Sequence, residues 1–240
     1  MKKIGSLIVC VLIVASVFTV MLPVKASPKS LYLVPNHHTG QFDAWEIKPD
    51  GTAEYQATYW LSYATDPAGI AIDESSNTLF ITSEFSGGVE MVDATTMTSL
   101  GVSTGPSDLA GIDVDNANDI IYTVKRNSNN LYVYEWDPDA RTLTVKAGFN
   151  PFHLPGCSGA FGIALDEIRG ILWVADSVAG IVRAYDVETW TEDTSLSFTP
   201  SHKPVDVAVD RMRSLVYTVS VSFGASVPGG CGSICSVNMI

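Results

Sequence analysis

The chain has 240 residues, with 26 acids against 14 bases, 46% hydrophobic and 17% charged residues. That composition excludes wholesale disorder and supplies a sizeable core for one domain or two, since all-β folds run past about 200 residues as single units. The net charge of −12, with no basic run longer than Lys125-Arg126, excludes nucleic acid and anionic membrane surfaces as partners, because both draw on clustered Lys and Arg.

Residues 1–26 have the pattern of a secretory signal peptide. Met1-Lys2-Lys3 is a short positive start, Ile4 to Leu22 an apolar run, and Val24-Lys25-Ala26 a cleavage site. The run spans 19 residues, long enough to cross a bilayer, so an uncleaved N-terminal anchor is the alternative and the only membrane contact expected. Cys10 fits the apolar segment and not a lipoprotein signal, which wants a small residue where Ile8-Val9 stand. Either way residues 27–240 are expected outside the cell or in its envelope. Cleavage removes three lysines and no acid, taking the net charge to −15. Three cysteines then remain, Cys157, Cys231 and Cys235, which allow one internal disulfide at most. Cys231 and Cys235 can close on each other, and Cys157 is an equal partner for either.

A repeat organises residues 27–240. Gly69-Ile-Ala-Ile-Asp73, Gly111-Ile-Asp-Val-Asp115, Gly162-Ile-Ala-Leu-Asp166 and Asp206-Val-Ala-Val-Asp210 alternate apolar residues and end on aspartate, at spacings of 42, 51 and 44 residues. After each comes a polar turn and a β-rich run: 78–83, 120–125, 171–176 and 215–220. Third runs follow at 88–93, 131–136 and 181–186, and fourth runs near 100–104, 143–149 and 196–199. Four antiparallel strands per unit at this period predict an all-β chain, a β-propeller of four-stranded blades. The stretch from Ala160 to Asp186 resembles an NHL repeat, and Leu215-Val-Tyr-Thr-Val-Ser220 and Ile121-Tyr-Thr-Val124 are similar to the YVTN repeats of surface-layer propellers. The resemblance spans roughly residues 31–220 and implies blade geometry more than activity. The repeated Gly and Asp have structural uses, close approach of inner strands and bonding of the following turn.

At the start, 31–34, 42–47 and 55–60 read as strands two to four of a blade without its first strand. At the end, 205–209, 215–221 and 234–239 leave the last blade incomplete. About four to five blades are present, against the six or seven usual in the families resembled. A truncated ring, closure by association and a small ring are the alternatives, with truncation favoured. A closing strand beside 31–34 would come from 205–209 or from a C-terminal strand not in the sequence.

In a propeller the connections from strand two to three and from strand four to the next strand one share a face, where ligands usually sit. His37, His38, His153, His202, Cys157, Cys231 and Cys235 all fall on that predicted face, and imidazole and thiolate suit zinc or copper, although loops on different blades diverge. Asn36, Asp66, Glu84, Asp108, Asn127, Asp176 and Asp206 fall there too, oxygen ligands of the kind Ca²⁺ prefers. Gluconolactonase-like propellers, to which the fold is similar, hold a divalent metal with Glu, Asn and Asp, but their Trp- and Gly-rich motifs are missing here. Gly156-Cys-Ser-Gly159 lacks the strand-to-helix setting of a nucleophile elbow, and no phosphate-cradling glycine motif occurs. Tyr59, Trp60, Tyr63, Phe85, Phe149, Phe152 and Phe161 lie in or beside loops; most are expected to pack between blades and one or two to mark a recognition patch. The expectation is a non-catalytic binding module at the cell surface with a protein or glycan partner, no required cofactor and a weak Ca²⁺ site. A metal-dependent lactonase on the same scaffold is the alternative. The ligand-face candidates are Asn36, Glu84, Asp108, Asn127 and Asp176.

Overall fold

A computed structural model describes residues 30–36, 39–221 and 233–239, with side chains described from 39 to 220. Residues 1–26, on which the expected signal peptide falls, His37, His38 and Cys231 lie outside the described residues, as do the side chains of Asn36 and Cys235. The described chain is all-β and forms five antiparallel sheets in sequence order. The first joins β1 (Ser30–Asn36), β2 (Gln41–Ile47) and β3 (Ala53–Trp60). The second joins β4 (Pro67–Asp73), β5 (Thr78–Ser83), β6 (Val89–Asp93) and β7 (Thr98–Ser103). The third holds β8 (Leu109–Asp115), β9 (Ile120–Lys125), β10 (Asn130–Asp137) and β11 (Thr142–Val145), with the two-residue β12 (Phe152–His153) also on β10. The fourth is β13 (Ala160–Asp166), β14 (Ile171–Asp176) and β15 (Ile181–Asp186), and the fifth β16 (Lys203–Asp210), β17 (Leu215–Val221) and β18 (Ser233–Met239).

The second strands β5 and β14 are buried at every position and β9 at all but its last, because their sheets are packed on both sides; β17 is buried only at alternate positions. First strands pack on first strands, β4 on β8, β8 on β13 and β13 on β16, and β1 lies on β4 as β5 lies on β8. β1 is therefore a second strand in position, and its sheet has no first strand among the described residues. Val205 to Val209 sit inside β16, paired with β17, and do not close beside β1.

The inner strands approach so closely that their glycines cannot be replaced. A Cβ on Gly69 would stand 2.4 Å from the Ala110 carbonyl, and one on Gly111 2.6 Å from the Ile163 nitrogen. Polar edge groups are met by neighbouring sheets: the Thr82 hydroxyl donates to the Ala110 carbonyl at 2.6 Å. Trp136 Nε1 on β10 reaches back to Asp73 Oδ2 at 3.0 Å.

The closing aspartates hold the turns. Asp73, Asp115 and Asp210 accept backbone N–H groups two and three residues ahead, and Asp93, Asp137 and Asp186 do the same after third strands. In these turns the residue four after the aspartate has a positive φ, including Asn77, Met97, Asp119, Arg141, Trp190 and Ser214. The residue after each first-strand aspartate links sheet to sheet. Glu74 N–H donates to Asn116 Oδ1 (3.0 Å), Asn116 N–H to Glu167 Oε1 (2.8 Å), and Arg211 pairs with Glu167 (2.7 Å).

One expected strand is replaced. Residues 196–199 make only one isolated bridge to β15, between Phe198 and Val182, because Asp193 takes the Ser195 N–H and hydroxyl and folds the chain into a turn first.

Candidate functional site

Two surfaces could hold a ligand where the connections predict: the central groove along the inner strands, and the rim above it. The groove, about 540 Å³, is lined by the small and aliphatic residues of β4, β8, β13 and β16 and by two carboxylates, Asp113 and Asp206. Both depart from the repeat. Asp113 stands where the other units have Ala71, Ala164 and Ala208, and Asp206 where they have Gly69, Gly111 and Gly162. Asp113 Oδ2 takes the Leu165 N–H at 2.7 Å, and Arg211 caps the Leu165 carbonyl, so both backbone groups of one β13 residue are held by neighbouring sheets.

Burial pushes the Asp113 carboxyl up to about 6, against the opposing pull of the Leu165 and Val114 N–H groups, and burial raises Asp206 as well. A raised carboxyl binds its proton more tightly folded than unfolded. Its contribution is therefore present at and below the ordinary carboxylate range and is lost as pH rises through about 6. The turn carboxylates behave oppositely: backbone N–H groups of Thr96, Thr189 and Arg213 lower Asp93, Asp186 and Asp210, so their contribution disappears in acid. The unfolding midpoint is expected to rise between pH 7 and about 5 and to fall below about 4, Asp113 alone accounting for about 2 kcal/mol. Calorimetric scans across that range check it, and Asp113→Asn should flatten the upper limb; a midpoint that falls steadily from pH 7 would contradict it.

The rim is ordered by acids beneath its loops. Glu90, buried on β6, accepts the N–H groups of Ser62, Tyr63 and Ala64 at 2.8–3.0 Å and so fixes the connection from β3 to β4. Tyr63 OH donates to the Ser86 carbonyl at 2.9 Å and Ser86 Oγ to the Tyr63 carbonyl at 2.9 Å, tying that connection to the β5–β6 loop. On these tied loops and at the end of β3 that leads into them, three aromatic side chains face solvent: Trp60 at 71% exposure, Phe85 at 64% and Tyr63 at 42%. The other loop aromatics pack: Tyr59 stacks on Phe42 at 5.5 Å, Phe149 and Phe152 gather on Trp190, and Phe161 lines the groove. No sequence signal separated the two groups, since exposure is decided by which loop is clasped to which.

Of the sequence candidates, Glu84 and Asp108 come together. The Asp108 N–H donates to the Glu84 carbonyl (2.6 Å), Arg126 pairs with Glu84 at 2.5 Å, and Lys125 lies 3.6 Å from Asp108. Asn127 is held through its N–H on the Ala160 carbonyl, in a left-handed conformation. Asp176 stands apart and buried, accepting from the N–H groups of Ser158 and Ala179 and from Arg183 Nε. Burial raises its pKa, but those donors outweigh burial and leave it lowered. His153 is exposed, the last residue of β12 and opposite Asn130 of β10, and His202 is half-buried before β16. Cys157 is buried with a free thiol, its pKa pushed up to about 12 first by burial and then by the Asp176 charge. Among the described residues no three His, Cys, Asp or Glu side chains are grouped to hold a metal ion.

No family model matches the chain, and no curated protein does. Solved structures do. A functionally unknown protein from Desulfotomaculum acetoxidans DSM 771 is similar at TM-score 0.61 and 14% identity, over 84% of this chain and 64% of that one. A chain of a nidogen/laminin complex is similar at 0.55 and 16%, over 80% and 72%, and Kuenenia stuttgartiensis hydrazine synthase at 0.52 and 17%, over 66% and 43%. The chain thus spans less than two thirds of the first of these and less than half of the third. At these identities the likeness is one of fold. The five radially packed antiparallel sheets are an all-β, partial β-propeller.

Proposed function

We propose that the chain is an exported, non-catalytic binding module built of NHL/YVTN-type blades, which recognises a protein or glycan at the cell surface with the rim of the first two sheets. The observation that carries this is the trio Trp60, Tyr63 and Phe85, exposed at the end of β3 and on the adjoining loops that Glu90 and Ser86 hold in place. Large apolar side chains on a pre-ordered surface lose little entropy on binding and are the usual energetic anchors of interfaces. The rim carboxylates do other work: Glu84 and Asp176 are engaged by arginines, so the lactonase alternative has no open carboxylate set to draw on among the described residues. The nidogen chain that resembles this one was solved in a complex with laminin, in keeping with a propeller used for protein binding.

The test uses the double variant Trp60→Ser/Phe85→Ser, which removes solvent-exposed rings and should leave the unfolding midpoint unchanged. Wild type is expected to be retained on a glycan array or on extracted cell-surface proteins, and the variant to bind at least about tenfold more weakly, the loss of one or two interface anchors. Equal retention of the two proteins, or metal-dependent lactone turnover lost on Glu84→Gln, would overturn the proposal.

A further inference from the structure

The sheets pack through two kinds of face. Towards the following sheet, each second strand turns an aromatic residue: Phe80 on β5, Tyr122 on β9 and Trp173 on β14. Pairing puts each of them opposite the same place in the inner strand, at Ala71, Asp113 and Ala164. All three rings are buried by the sheet that follows, Phe80 under Trp136, Tyr122 among Leu172 and Tyr185, and Trp173 among Val207 and Val216. Tyr217 on β17 holds this position in the fifth sheet, opposite Ala208, with Leu215 and Val219 on the same face. No sheet follows it among the described residues, and Leu215, Tyr217 and Val219 stay half-buried.

The first sheet is left with the converse face. Phe42 and Ala44 are buried towards the second sheet, so alternation turns Trp45 and its cross-strand neighbour Tyr55 the other way. The two rings meet edge-on at 5.4 Å, and Tyr55 is 49% exposed. None of the buried clusters joins the fifth sheet to the first. Stacked repeats end on polar outer faces when nothing covers them, whereas these two faces keep aromatic and aliphatic side chains. They are also of opposite kinds, one forward and one backward, so the first fits the fifth as sheet fits sheet within the chain. Charge agrees: residues 41–60 carry four acids and one base, and residues 203–221 three bases and two acids. The two faces attract each other although the chain as a whole is acidic.

We infer that the occupant of each face is a second copy of this chain, the fifth sheet of one copy packing on the first sheet of the next, with Tyr217 against Trp45 and Tyr55. Such a contact is heterologous, because each copy contributes a different face to it. The experiment is sedimentation equilibrium of the full chain over a range of concentrations. Wild type, Tyr217→Glu, Ala208→Glu and Tyr55→Glu are compared, each first shown folded by its thermal midpoint. Ala208 and Tyr55 are exposed, so each face has a variant that should fold whatever Tyr217→Glu does. Wild type is expected to associate, and each variant alone to associate at least about tenfold more weakly. An equimolar mixture of Ala208→Glu and Tyr55→Glu retains one intact face of each kind and should give a one-to-one pair. Wild type that stays monomeric at every concentration would overturn the inference. So would a variant that associates as strongly as wild type, which marks a contact made elsewhere or between like faces, or a mixture no more associated than its parts.

Discussion

Replacing Trp136 by alanine is expected to cost about 4 kcal/mol of unfolding free energy, the middle of the range for a buried aromatic. The ring belongs to the third sheet but works in the second. It is 4% exposed, meets Phe80 edge-on with centroids 5.0 Å apart, and gives its indole N–H to Asp73. Truncation leaves a cavity between the two sheets and also strips one donor from Asp73, which retains Ser75 and Ser76. Trp136→Phe separates the two effects. It keeps most of the apolar contact and loses the hydrogen bond, so it should cost about 1 to 2 kcal/mol. Urea unfolding of both variants measures this; a loss below about 1 kcal/mol for Trp136→Ala would mean that the second and third sheets are not packed as described.

The second large effect is expected where the inner strands touch. A Cβ on Gly111 would meet the Ile163 nitrogen at 2.6 Å and the Phe161 carbonyl at 2.8 Å, and these are backbone atoms that cannot swing aside. Gly111→Ala must push β8 away from β13 and should cost about 3 kcal/mol, the upper range of overpacking. Gly148 is the matched control. An added Cβ there meets nothing within 4 Å, so Gly148→Ala pays only for its φ of +86°, about 1 kcal/mol. Equal costs at the two positions would show that close approach is not what the repeat glycine is for.

The strands were legible because each blade repeats the same local argument. Residues 78–83, 120–125, 171–176 and 181–186 are strands with the limits that alternation and turn residues imply, and the closing aspartates bond their turns as their chemistry suggests. The fourth strand at 196–199 was not legible, because a side chain, Asp193, competes there with the ladder. The contacts between sheets were hidden for a different reason. Glu74, Asn116, Glu167 and Arg211 occupy one structural position with three different chemistries, so no repeat consensus announces a belt. Asp113 and Asp206 are visible in the sequence as departures from Ala and Gly, yet only the packing of β13 between them gives that departure a meaning. At the rim, strand polarity puts Glu84 and Asp108 on one predicted face with Asn36, Asn127 and Asp176, and of these Glu84 and Asp108 are joined by a backbone hydrogen bond. Glu90 was missed because it lies within a strand and acts on a loop 26 to 28 residues away.

Site-specific photo-cross-linking tests the use of the aromatic rim most directly. A benzophenone side chain is placed at Phe85 in one protein and at Met212 in another. Met212 is 96% exposed and lies in the β16–β17 turn on the opposite face. Both proteins are irradiated on intact cells. Cross-linked adducts are expected from Phe85, abolished by adding Trp60→Ser, and none from Met212. Adducts from Met212 alone, or equally from both positions, would contradict recognition by the rim of Trp60, Tyr63 and Phe85.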